Sequence, residues 1–479
     1  MGNTYQDFIM PGSLVNGEWL HSDTRFSIFD KATGEQLASL ANAQVSDMEM
    51  AISHASVAFD SWRYTSGLER ARLLMAWYEK LIEHRDALAQ LLTMEQGKPL
   101  SEAKGEIDYG AGYIRWFAGE AERIDGDVCA GVNSTQHIQV VKKPVGVVGA
   151  ITPWNFPNAM IARKAAAALA AGCAFVGRPA AETPLSALAM AKLAQDAGIP
   201  AGVLNIVVGT DAKALGKVLT QSERVAKFSF TGSTRVGQQL IQDCAPTVKR
   251  VSMELGGNAP FIVFEDADID AAVSAAMLAK FRNAGQTCVC ANRFLVHRSV
   301  HDKFVSALMH KVATLSIGNG LNGADIGPLI GIHAAEKVNT LVVKALAEGA
   351  SKHFGQEWTG SAFYPPTILT DITAEMAIFG QEIFGPVVTV IPFNDEAHAV
   401  SLANQTEYGL AAYIFTNDYT RMKRVPDQLD YGMVGINEAA ISNPAAPFGG
   451  VKHSGFGREG SKYGLDDYLS IQYRCIGGY

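Results

Sequence analysis

The chain has little cysteine and no excess of positive charge. Six cysteines in 479 residues are too few for a disulfide scaffold, and no CxxC pair occurs among them. The histidines are scattered without the spacing of metal ligands, so we expect no metal site. A formal net charge of −8 offers no basic surplus to neutralise phosphates, which argues against a nucleic-acid-binding protein.

Targeting and membrane signals are also lacking. The opening sequence MGNTYQDFIM has neither the basic nor the apolar region of a signal peptide. The long uncharged run at 144–162 contains three prolines and two asparagines, which excludes a simple membrane helix. We therefore expect a cytosolic protein that makes no membrane contact.

The middle of the chain alternates between short apolar runs and helical patterns. This alternation extends from Gly146 to Cys244, and a second alternating block extends from Phe261 to about Phe415. Before both blocks, residues 46–122 carry apolar side chains at three- and four-residue spacing, which is typical of helices. A chain of 479 residues is too long to fold around a single hydrophobic core. The patterns predict an α/β protein of two or three domains, with parallel sheets covered by helices on both faces.

Two strand-like segments lie outside this alternation. Residues 137–142 (HIQVVK) follow a helical region, and residues 468–475 (YLSIQYRC) lie near the C-terminus. Because the first segment is an insertion between helices, we expect it to project from the body as a β-arm.

Four motifs carry the chemistry. They are TPWNFP at 152–157, MELGGNAP at 253–260, FRNAGQTCVC at 281–290 and QEIFGPV at 381–387. A polar, glycine-containing turn that ends in cysteine can hold a thiol where it reacts. Together the motifs resemble those of the aldehyde dehydrogenase superfamily, and the resemblance runs from about Gly17 to the C-terminus.

The resemblance implies a three-part fold. Its parts are a Rossmann-like parallel-sheet NAD(P)-binding domain, a second α/β catalytic domain and a small β-strand oligomerisation arm. The expected bounds are 1–124 and 145–254 for the cofactor domain, 255–440 for the catalytic domain, 125–144 and 466–479 for the arm, and 441–465 for a return segment near the active-site mouth. In the superfamily the two arm segments pair and carry subunit contacts, so a homodimer or homotetramer is implied.

The resemblance also implies three catalytic roles. Cys288 would attack an aldehyde to form a thiohemiacetal. The side-chain amide of Asn155 and the backbone N–H of Cys288 would donate to the developing oxyanion. Glu254 would activate the water that hydrolyses the resulting thioester. Without the resemblance, Asn155 is equally well explained as a turn residue and Glu254 as a salt-bridged residue at a strand end.

Two stretches compete for the role of phosphate loop. Residues 455–460 (GFGREG) match the dinucleotide fingerprint GxGxxG, but they follow no predicted strand and leave no room for a βαβ unit. Residues 230–237 (FTGSTRVG) follow a predicted strand and open a helix, so Gly232 and Ser233 would present backbone N–H groups to an anion. The resemblance favours this second stretch.

The cofactor implied by the resemblance is NADP or NAD. The residues implied to bind it are Thr152, Pro153, Trp154, Arg178, Ala181, Thr231, Gly232, Ser233, Leu255, Glu382 and Phe384. Glu382 matches the family carboxylate that holds the nicotinamide ribose, and Phe384 matches the aromatic residue beside the nicotinamide ring.

Two cofactor positions depart from the family pattern. Arg178 stands where the family usually has lysine, and Ala181 stands where many NAD-preferring members have glutamate. Since arginine favours bidentate phosphate binding and no carboxylate would repel a 2′-phosphate, we expect NADP to be accepted at least as well as NAD. Glu182 would reverse this preference if it turned inward.

Within the superfamily, the chain resembles the succinate-semialdehyde dehydrogenases most closely. The stretches FRNAGQTCVCANR, MIARKA and ISNPAAPFGG carry this likeness. They imply oxidation of succinate semialdehyde to succinate, with Arg163, Arg282 and Ser442 binding the carboxylate at the far end of the substrate. Taken alone, each arginine is better explained by a surface ion pair, and Lys164 could replace Arg163.

Several alternatives stay open. Glutarate semialdehyde, or a broader range of aldehydes, is a near alternative substrate. The chain could also be a non-catalytic descendant of the fold with a structural or ligand-binding role, which Arg178 alone favours. Cys290 is separated from Cys288 by a single residue. Two cysteines so close in a loop can come within the Cα separation of a disulfide, which predicts a redox switch.

Overall fold

The structure, a computed structural model, describes residues 4–478. Within these residues the chain forms three β-sheets and one separate hairpin, and helices pack on the two larger sheets. Residues 1–3 and 479, which belong to the predicted segments 1–124 and 466–479, lie outside the described residues.

The α-helices are α1 (Val45–Trp62), α2 (Gly67–Glu83), α3 (Arg85–Gln96), α4 (Leu100–Ala121), α5 (Pro157–Ala171), α6 (Leu185–Asp196), α7 (Ala212–Gln221), α8 (Thr234–Cys244), α9 (Ile269–Phe281), α10 (His301–Val312), α11 (Ile332–Ala347), α12 (Glu396–Asn404), α13 (Tyr419–Arg424) and α14 (Tyr463–Asp466). The strands are β1 (Leu14–Val15), β2 (Glu18–Trp19), β3 (Arg25–Phe29), β4 (Gln36–Ala41), β5 (Asp127–Ala130), β6 (Gln136–Pro144), β7 (Val147–Ile151), β8 (Ala174–Arg178), β9 (Leu204–Ile206), β10 (Val225–Thr231), β11 (Arg250–Glu254), β12 (Ala259–Val263), β13 (Ala291–His297), β14 (Ser351–Phe354), β15 (Thr367–Thr370), β16 (Val387–Phe393), β17 (Ala411–Phe415), β18 (Met433–Ile436), β19 (Gly455–Phe456) and β20 (Leu469–Gly477).

Five parallel strands form the centre of the first sheet, in the order β11-β10-β7-β8-β9. The antiparallel strands β1 and β2 extend one edge, and β19 extends the other. From β7 the chain moves outward through β8 and β9, and it then returns to place β10 on the opposite side of β7. This reversal of strand order opens a crevice at the carboxyl ends of β7 and β10, where doubly wound sheets bind ligands.

Helices cover both faces of this sheet, as the alternation predicts. Helices α1, α7 and α8 pack on one face, and α2 to α6 pack on the other. Because both faces are covered, β7 and β8 are buried along their whole length and show no polar alternation. None of the described helices is both long and apolar enough to span a membrane.

Helix α5 lies at the centre of this packing. Pro157 occupies the first turn, where backbone N–H groups have no partner within the helix, so the N–H that proline lacks costs no hydrogen bond. Gly172 ends the helix at a φ of +90°. Every residue of α5 is buried between the sheet and the neighbouring helices. Two of these residues, Arg163 and Lys164, carry charge and therefore need partners inside the protein.

The second sheet has the order β14-β15-β16-β13-β12-β17-β18, and all its strands except β14 run parallel. All seven strands lie between Ala259 and Ile436, inside the predicted catalytic segment 255–440. The bounds of the four predicted segments remain a prediction.

Strands β5, β6 and β20 form a separate antiparallel sheet. β20 pairs with β6 along all nine of its residues, so the two predicted arm segments do lie side by side. Apolar side chains on this sheet face solvent, including Val128 at 78%, Ile471 at 72% and Tyr473 at 62% exposure. Clustered exposed apolar residues are typical of a surface that another chain covers.

The predicted return segment 441–465 contributes an element that the sequence did not predict. Its residues Gly455–Phe456 form β19, which adds antiparallel to β11. Gly455 and Gly457 adopt φ values of +106° and +90°, and a Cβ at Gly455 would lie 2.0 Å from the carbonyl oxygen of Met253. The glycines of GFGREG therefore permit close packing against β11.

Candidate active site

A cavity of about 270 Å³ lies at the carboxyl ends of β7 and β10, where the strand order reverses. Its walls are formed by Pro153, Trp154, Asn155, Met160, Thr231, Gly232, Ser233, Leu255, Gly256, Cys288, Glu382 and Phe384. All but Met160 and Gly256 are predicted site residues. The cavity therefore brings together segments that are far apart in sequence, from both large sheets.

The loop that carries Cys288 follows α9 through a strained turn. Asn283, Ala284 and Gly285 have consecutive φ values of +52°, +54° and +78°. This left-handed conformation suits glycine and asparagine but costs energy for alanine. The Glu102 carboxylate accepts a hydrogen bond from the backbone N–H of Asn283 at 2.7 Å. This contact helps to hold the turn that brings Cys288 to the cavity wall.

The Cys288 thiol is half-buried in that wall. Burial raises its pKa to about 12. The guanidinium groups of Arg163 and Arg282 act to lower this pKa, whereas the carboxylates of Glu382 and Glu254 raise it. At neutral pH the thiol is therefore protonated, and formation of the thiolate nucleophile requires a base.

Asn155 is fixed through both its side chain and its backbone. Its Nδ2 donates to the carbonyl oxygen of Gln286 at 2.9 Å, and its own carbonyl oxygen accepts from Lys98 Nζ at 2.9 Å and from Asn283 Nδ2 at 3.0 Å. An amide nitrogen carries two hydrogens, so one N–H remains for an oxygen bound beside Cys288. The predicted oxyanion donor and the predicted nucleophile thus line one cavity.

Glu254, the last residue of β11, is buried behind the cavity wall next to Leu255. Neither carboxylate oxygen has a hydrogen-bond partner among the described residues. Burial and then the Glu459 carboxylate raise the pKa of Glu254 well above its usual range, while Arg163 and Lys164 oppose the rise. A carboxylate with a raised pKa and free lone pairs is a stronger base than an exposed glutamate and is suited to accept a proton.

A second buried carboxylate, Glu459, acts on Glu254 and is not among the predicted residues. Glu459 forms ion pairs with Arg163 and Lys164, and Lys164 Nζ also donates to Ser229 Oγ at 2.8 Å. Burial acts to raise the pKa of Glu459, but these two cations outweigh burial and hold the pKa below its usual value. Glu459 is therefore the carboxylate that stays ionised.

The cofactor side of the cavity combines an aromatic pair with a carboxylate. The rings of Trp154 and Phe384 meet edge to face at 5.5 Å between centroids. Glu382 accepts a hydrogen bond from the Gly257 amide at 3.0 Å, and burial raises the pKa of Glu382 to about 7 against the effect of that bond. This side offers a stacking surface and a hydrogen-bond acceptor for ribose hydroxyls.

Several predicted cofactor residues present buried polar atoms that lack partners. Thr152 Oγ1, Thr231 Oγ1 and Arg178 Nε have no hydrogen-bond partner within residues 4–478. Native proteins leave few such atoms, so they indicate a surface that binds a polar ligand. Beside them, Ser233 precedes α8, whose first backbone N–H groups have no partner within the helix, as a helix N-terminal anion site requires. The predicted use of the Gly232 backbone N–H for the same anion is wrong in this conformation, because that N–H donates to the carbonyl oxygen of Glu254 at 3.0 Å. This arrangement fits a dinucleotide at the predicted position.

The two departures from the family pattern lie at the edge of this site. Arg178 is buried, and its Nη2 donates to the carbonyl oxygen of Gly209 at 3.0 Å. Ala181 is half-buried, and the Glu182 side chain next to it is exposed. A ligand that reaches Ala181 therefore meets no carboxylate at that position.

A model of the aldehyde dehydrogenase family matches residues 19–473. The chain belongs to the aldehyde dehydrogenase family. It is similar to the NADP(+) succinate-semialdehyde dehydrogenase of Escherichia coli K12 (51% identity, 97% of each chain covered), the 3-sulfolactaldehyde dehydrogenase of Pseudomonas putida (50%, 97% of each) and the glutarate-semialdehyde dehydrogenase of Pseudomonas aeruginosa PAO1 (50%, 97% of each). A crystal structure described as an E. coli NADP-dependent enzyme superposes with a TM-score of 0.97 at 50% identity, over 98% of this chain and 99% of the other.

The two arginines predicted to bind the substrate lie near the predicted catalytic residues. Arg163 is fully buried, stacks at 4.5 Å on the Phe448 ring and pairs through Nε with Glu459, whereas its Nη1 and Nη2 atoms have no partner among the described residues. Arg282 is half-buried and stacks at 5.2 Å on the Phe156 ring. No ion pair of Arg282 is found within residues 4–478.

Ser442 and Cys290, the remaining predicted residues, differ in their surroundings. Ser442 is half-buried in the segment between β18 and β19. Cys290 is buried, with its sulfur 3.6 Å from the carbonyl oxygen of Lys280. Burial raises the Cys290 pKa, and Lys280 opposes this effect. All six cysteines are free thiols, and no group of three or more described His, Cys, Asp or Glu side chains is placed to hold a metal ion.

Sequence reasoning missed the residues that support the site from behind. Glu459 lies within the GFGREG stretch, which the sequence indicates only as a candidate phosphate loop. Lys98, Glu106 and Gln286 are likewise not among the predicted site residues. Burial of a charged residue is the signal that would reveal three of them, and it requires the tertiary structure.

Proposed function

We propose that the chain oxidises succinate semialdehyde to succinate, with NADP or NAD as hydride acceptor. The observation that carries this proposal is the position of Arg163 and Arg282. Arg163 lies buried on α5, which begins two residues after Asn155, and Arg282 stacks at 5.2 Å on the ring of Phe156, the residue after Asn155. Both guanidinium groups also act to lower the pKa of Cys288. Both also retain unpaired donors, as a bidentate carboxylate site requires.

In the first step, Cys288 Sγ bonds to the aldehyde carbon and the carbonyl electron pair moves to oxygen. The thiol proton passes to a base, for which Glu254 is the candidate, and then from Glu254 to solvent, so that Glu254 is ionised again before water attacks. Asn155 Nδ2 and the Cys288 backbone N–H donate to the oxyanion and stabilise the thiohemiacetal. Because the cavity is small and partly apolar, these hydrogen bonds act in an environment of low dielectric constant.

When bound, the nicotinamide cofactor accepts the hydride that leaves the thiohemiacetal carbon. Trp154 and Phe384 would hold the nicotinamide end, and Glu382 would accept hydrogen bonds from its ribose. Ser233 and the first backbone N–H groups of α8 would bind the pyrophosphate, and Gly232 would leave room for its close approach. As the hydride departs, the carbon–oxygen double bond forms again and a thioester remains on Cys288.

In the last step, Glu254 removes a proton from water as the water oxygen bonds to the thioester carbon. The carbon–sulfur bond then breaks, which releases succinate and returns the thiolate of Cys288. The proton on Glu254 passes to solvent. The raised pKa of Glu254 supports this role, since burial makes its carboxylate a stronger base than a solvent-exposed glutamate.

The relatives' names support an acidic group at the far end of the substrate. Succinate semialdehyde, glutarate semialdehyde and 3-sulfolactaldehyde each carry a carboxylate or sulfonate there. Formation of NAD(P)H with these three aldehydes and with butanal tests the proposal. We expect the highest kcat/KM for succinate semialdehyde and the lowest for butanal. A preference for butanal would overturn the acidic substrate class, and a preference for glutarate semialdehyde would correct the chain length.

We further propose that NADP is accepted at least as well as NAD. Ala181 and the buried cation of Arg178 support this preference, because neither repels a 2′-phosphate. The substitution Ala181→Glu is expected to lower kcat/KM for NADP by about tenfold or more and to spare NAD, since a carboxylate then faces the phosphate. An at least tenfold preference for NAD in the unchanged protein would contradict the proposal.

We propose in addition a cytoplasmic homodimer or homotetramer. The exposed apolar residues of the arm support subunit contacts through β20 and β6. Six unpaired cysteines support a reducing compartment. Sedimentation of the full chain tests the assembly, and a stable monomer at micromolar concentration would refute it.

A further inference from the structure

We propose that Lys98 is a positioning residue that holds the oxyanion donor Asn155 in place, in a buried network with Glu106 and Asn283. This inference rests on the proposed role of Asn155. It assigns a function to a lysine in the loop between α3 and α4, outside every motif that carries the chemistry.

Lys98 is almost completely buried, at 2% exposure. Its ammonium group donates to Glu106 Oε2 at 2.5 Å and to the carbonyl oxygen of Asn155 at 2.9 Å. The same group lies 3.9 Å from the centre of the Phe156 ring, where a cation–π interaction is favourable. Lys98 therefore contacts both Asn155 and the residue after it.

Glu106 connects this cation to the helix that follows Asn155. Its second oxygen, Oε1, accepts from the backbone N–H groups of Asn158 at 2.9 Å and Ala159 at 3.2 Å, in the first turn of α5. A carboxylate at a helix N-terminus satisfies unpaired N–H groups and interacts favourably with the helix dipole. Residues 155–159 are therefore held at both ends, by Lys98 at Asn155 and by Glu106 at α5.

Asn283 joins the nucleophile loop to the same point. Its Nδ2 donates to the Asn155 carbonyl oxygen at 3.0 Å and to the Gln286 carbonyl oxygen at 3.3 Å. The Gln286 carbonyl in turn accepts from Asn155 Nδ2. Rotation or displacement of Asn155 would break bonds to Lys98 and to the Cys288 loop together. The Lys98 contact thus restricts where the free N–H of Asn155 points.

A buried ion pair is weak evidence of stabilisation, because desolvation of both charges is costly. A well-packed apolar pair in the positions of Lys98 and Glu106 could be as stable. Such a pair would not donate to the Asn155 carbonyl. The contact therefore supports a role in catalytic geometry, and this role can be separated from a role in stability.

The test is a double-mutant cycle between Lys98→Met and Asn155→Ala in the full chain. We expect Lys98→Met to lower kcat for succinate semialdehyde by about tenfold or more, with KM for the cofactor changed less than threefold. Asn155→Ala alone should lower kcat by about a hundredfold or more. The double variant should be no slower than Asn155→Ala, because Lys98 acts through Asn155. Additive losses would overturn the inference.

Alkylation of Cys288 by iodoacetamide supplies a second readout, since it needs the thiol but no oxyanion donor. Its rate should stay within twofold in Lys98→Met, and a large change would show disruption of the nucleophile loop instead. Arg70→Met is the matched control, because Arg70 is a buried cation that donates to the carbonyl oxygens of Ala170 and Thr65. Arg70→Met should lower the stability of the protein and leave kcat unchanged. A loss of kcat in Arg70→Met equal to that in Lys98→Met would overturn the inference.

If Lys98→Met does not fold, Lys98→Gln keeps a donor of smaller reach and replaces it in the cycle. The outcomes also separate this inference from the proposed function. Full activity of Asn155→Ala would refute the proposed mechanism. A slow Asn155→Ala together with full activity of both Lys98 variants would refute only the role of Lys98.

Discussion

Asn155 donates a hydrogen bond from its side-chain amide to the carbonyl oxygen of Gln286 at 2.9 Å. This bond joins the segment after β7 in the first sheet to the loop that leads to β13 in the second sheet. The proposed nucleophile Cys288 lies two residues after Gln286, so it belongs to the same hydrogen-bonded unit as the proposed oxyanion donor Asn155. A substitution that moves one sheet relative to the other is therefore expected to lower the rate of the chemical step as well as the affinity for substrate.

The two neighbouring cysteines should differ sharply in function. Cys288 lines the cavity, whereas Cys290 is buried against Lys280. We expect Cys288→Ala to abolish turnover and Cys290→Ala to keep most of it. Mass spectrometry of the trapped acyl-enzyme checks the assignment. A labelled substrate attached to Cys290 would show that the nucleophile is misassigned.

A redox switch between these cysteines requires the two free thiols to form a disulfide. The Cys290 sulfur lies 3.6 Å from the carbonyl oxygen of Lys280. We expect peroxide to inactivate the protein and dithiothreitol to restore activity. In Cys290→Ala, peroxide should instead cause a loss that dithiothreitol does not reverse, through over-oxidation of Cys288. Irreversible loss in the unchanged protein would argue against the switch.

Glu459 should set the pH range in which Glu254 works. Burial and then the Glu459 charge raise the pKa of Glu254, so removal of that charge by Glu459→Gln should lower this pKa. The ionised base would then be present at lower pH, and the acidic limb of the deacylation rate should move to lower pH. Rapid-quench decay of the acyl-enzyme across pH measures the limb. Glu407→Gln, at an exposed position, is the control that should shift nothing, and an unchanged or upward shift in Glu459→Gln would contradict the expectation.

The sequence predicts more of the sheets than of the support behind the site. A strand that is buried on both faces appears in the sequence as a short apolar run, and this pattern is local. The alternation of such runs with helical patterns therefore predicted the parallel strands from β7 to β10. The contact of Lys164 with Glu459 joins residues 295 positions apart, and the contact of Lys98 with Asn155 joins residues 57 apart. No local pattern reports such pairs. Arg163 shows the same limit, because its pairing with Glu459 depends on β19, an edge strand too short to show alternation.

Two glycines on α4 predict opposite effects on stability. A Cβ at the exposed residue Gly105 would meet no atom within 4 Å, so Gly105→Ala should stabilise by up to about 1 kcal/mol through helix propensity. A Cβ at Gly110 would lie 2.4 Å from Asn158 Oδ1 in the first turn of α5, so Gly110→Ala should destabilise by about 1–3 kcal/mol. Urea unfolding midpoints of the two variants check this. Equal effects at both positions would show that the α4–α5 contact is looser than the structure indicates.

The last prediction concerns the substrate carboxylate. Arg282 stacks on Phe156 and has no ion pair among the described residues, so its donors remain free for an anion. A hydrogen bond to a charged group contributes about 1.5–3 kcal/mol, and about 1.4 kcal/mol corresponds to a tenfold change in rate. Arg282→Leu should therefore lower kcat/KM for succinate semialdehyde by about tenfold or more and spare butanal, which has the same length and no carboxylate. The exposed residue Arg224 provides a matched control, since Arg224→Leu should change neither rate. Equal losses on both aldehydes would show that Arg282 supports only the Cys288 loop, and carboxylate recognition would then depend on Arg163 and Ser442.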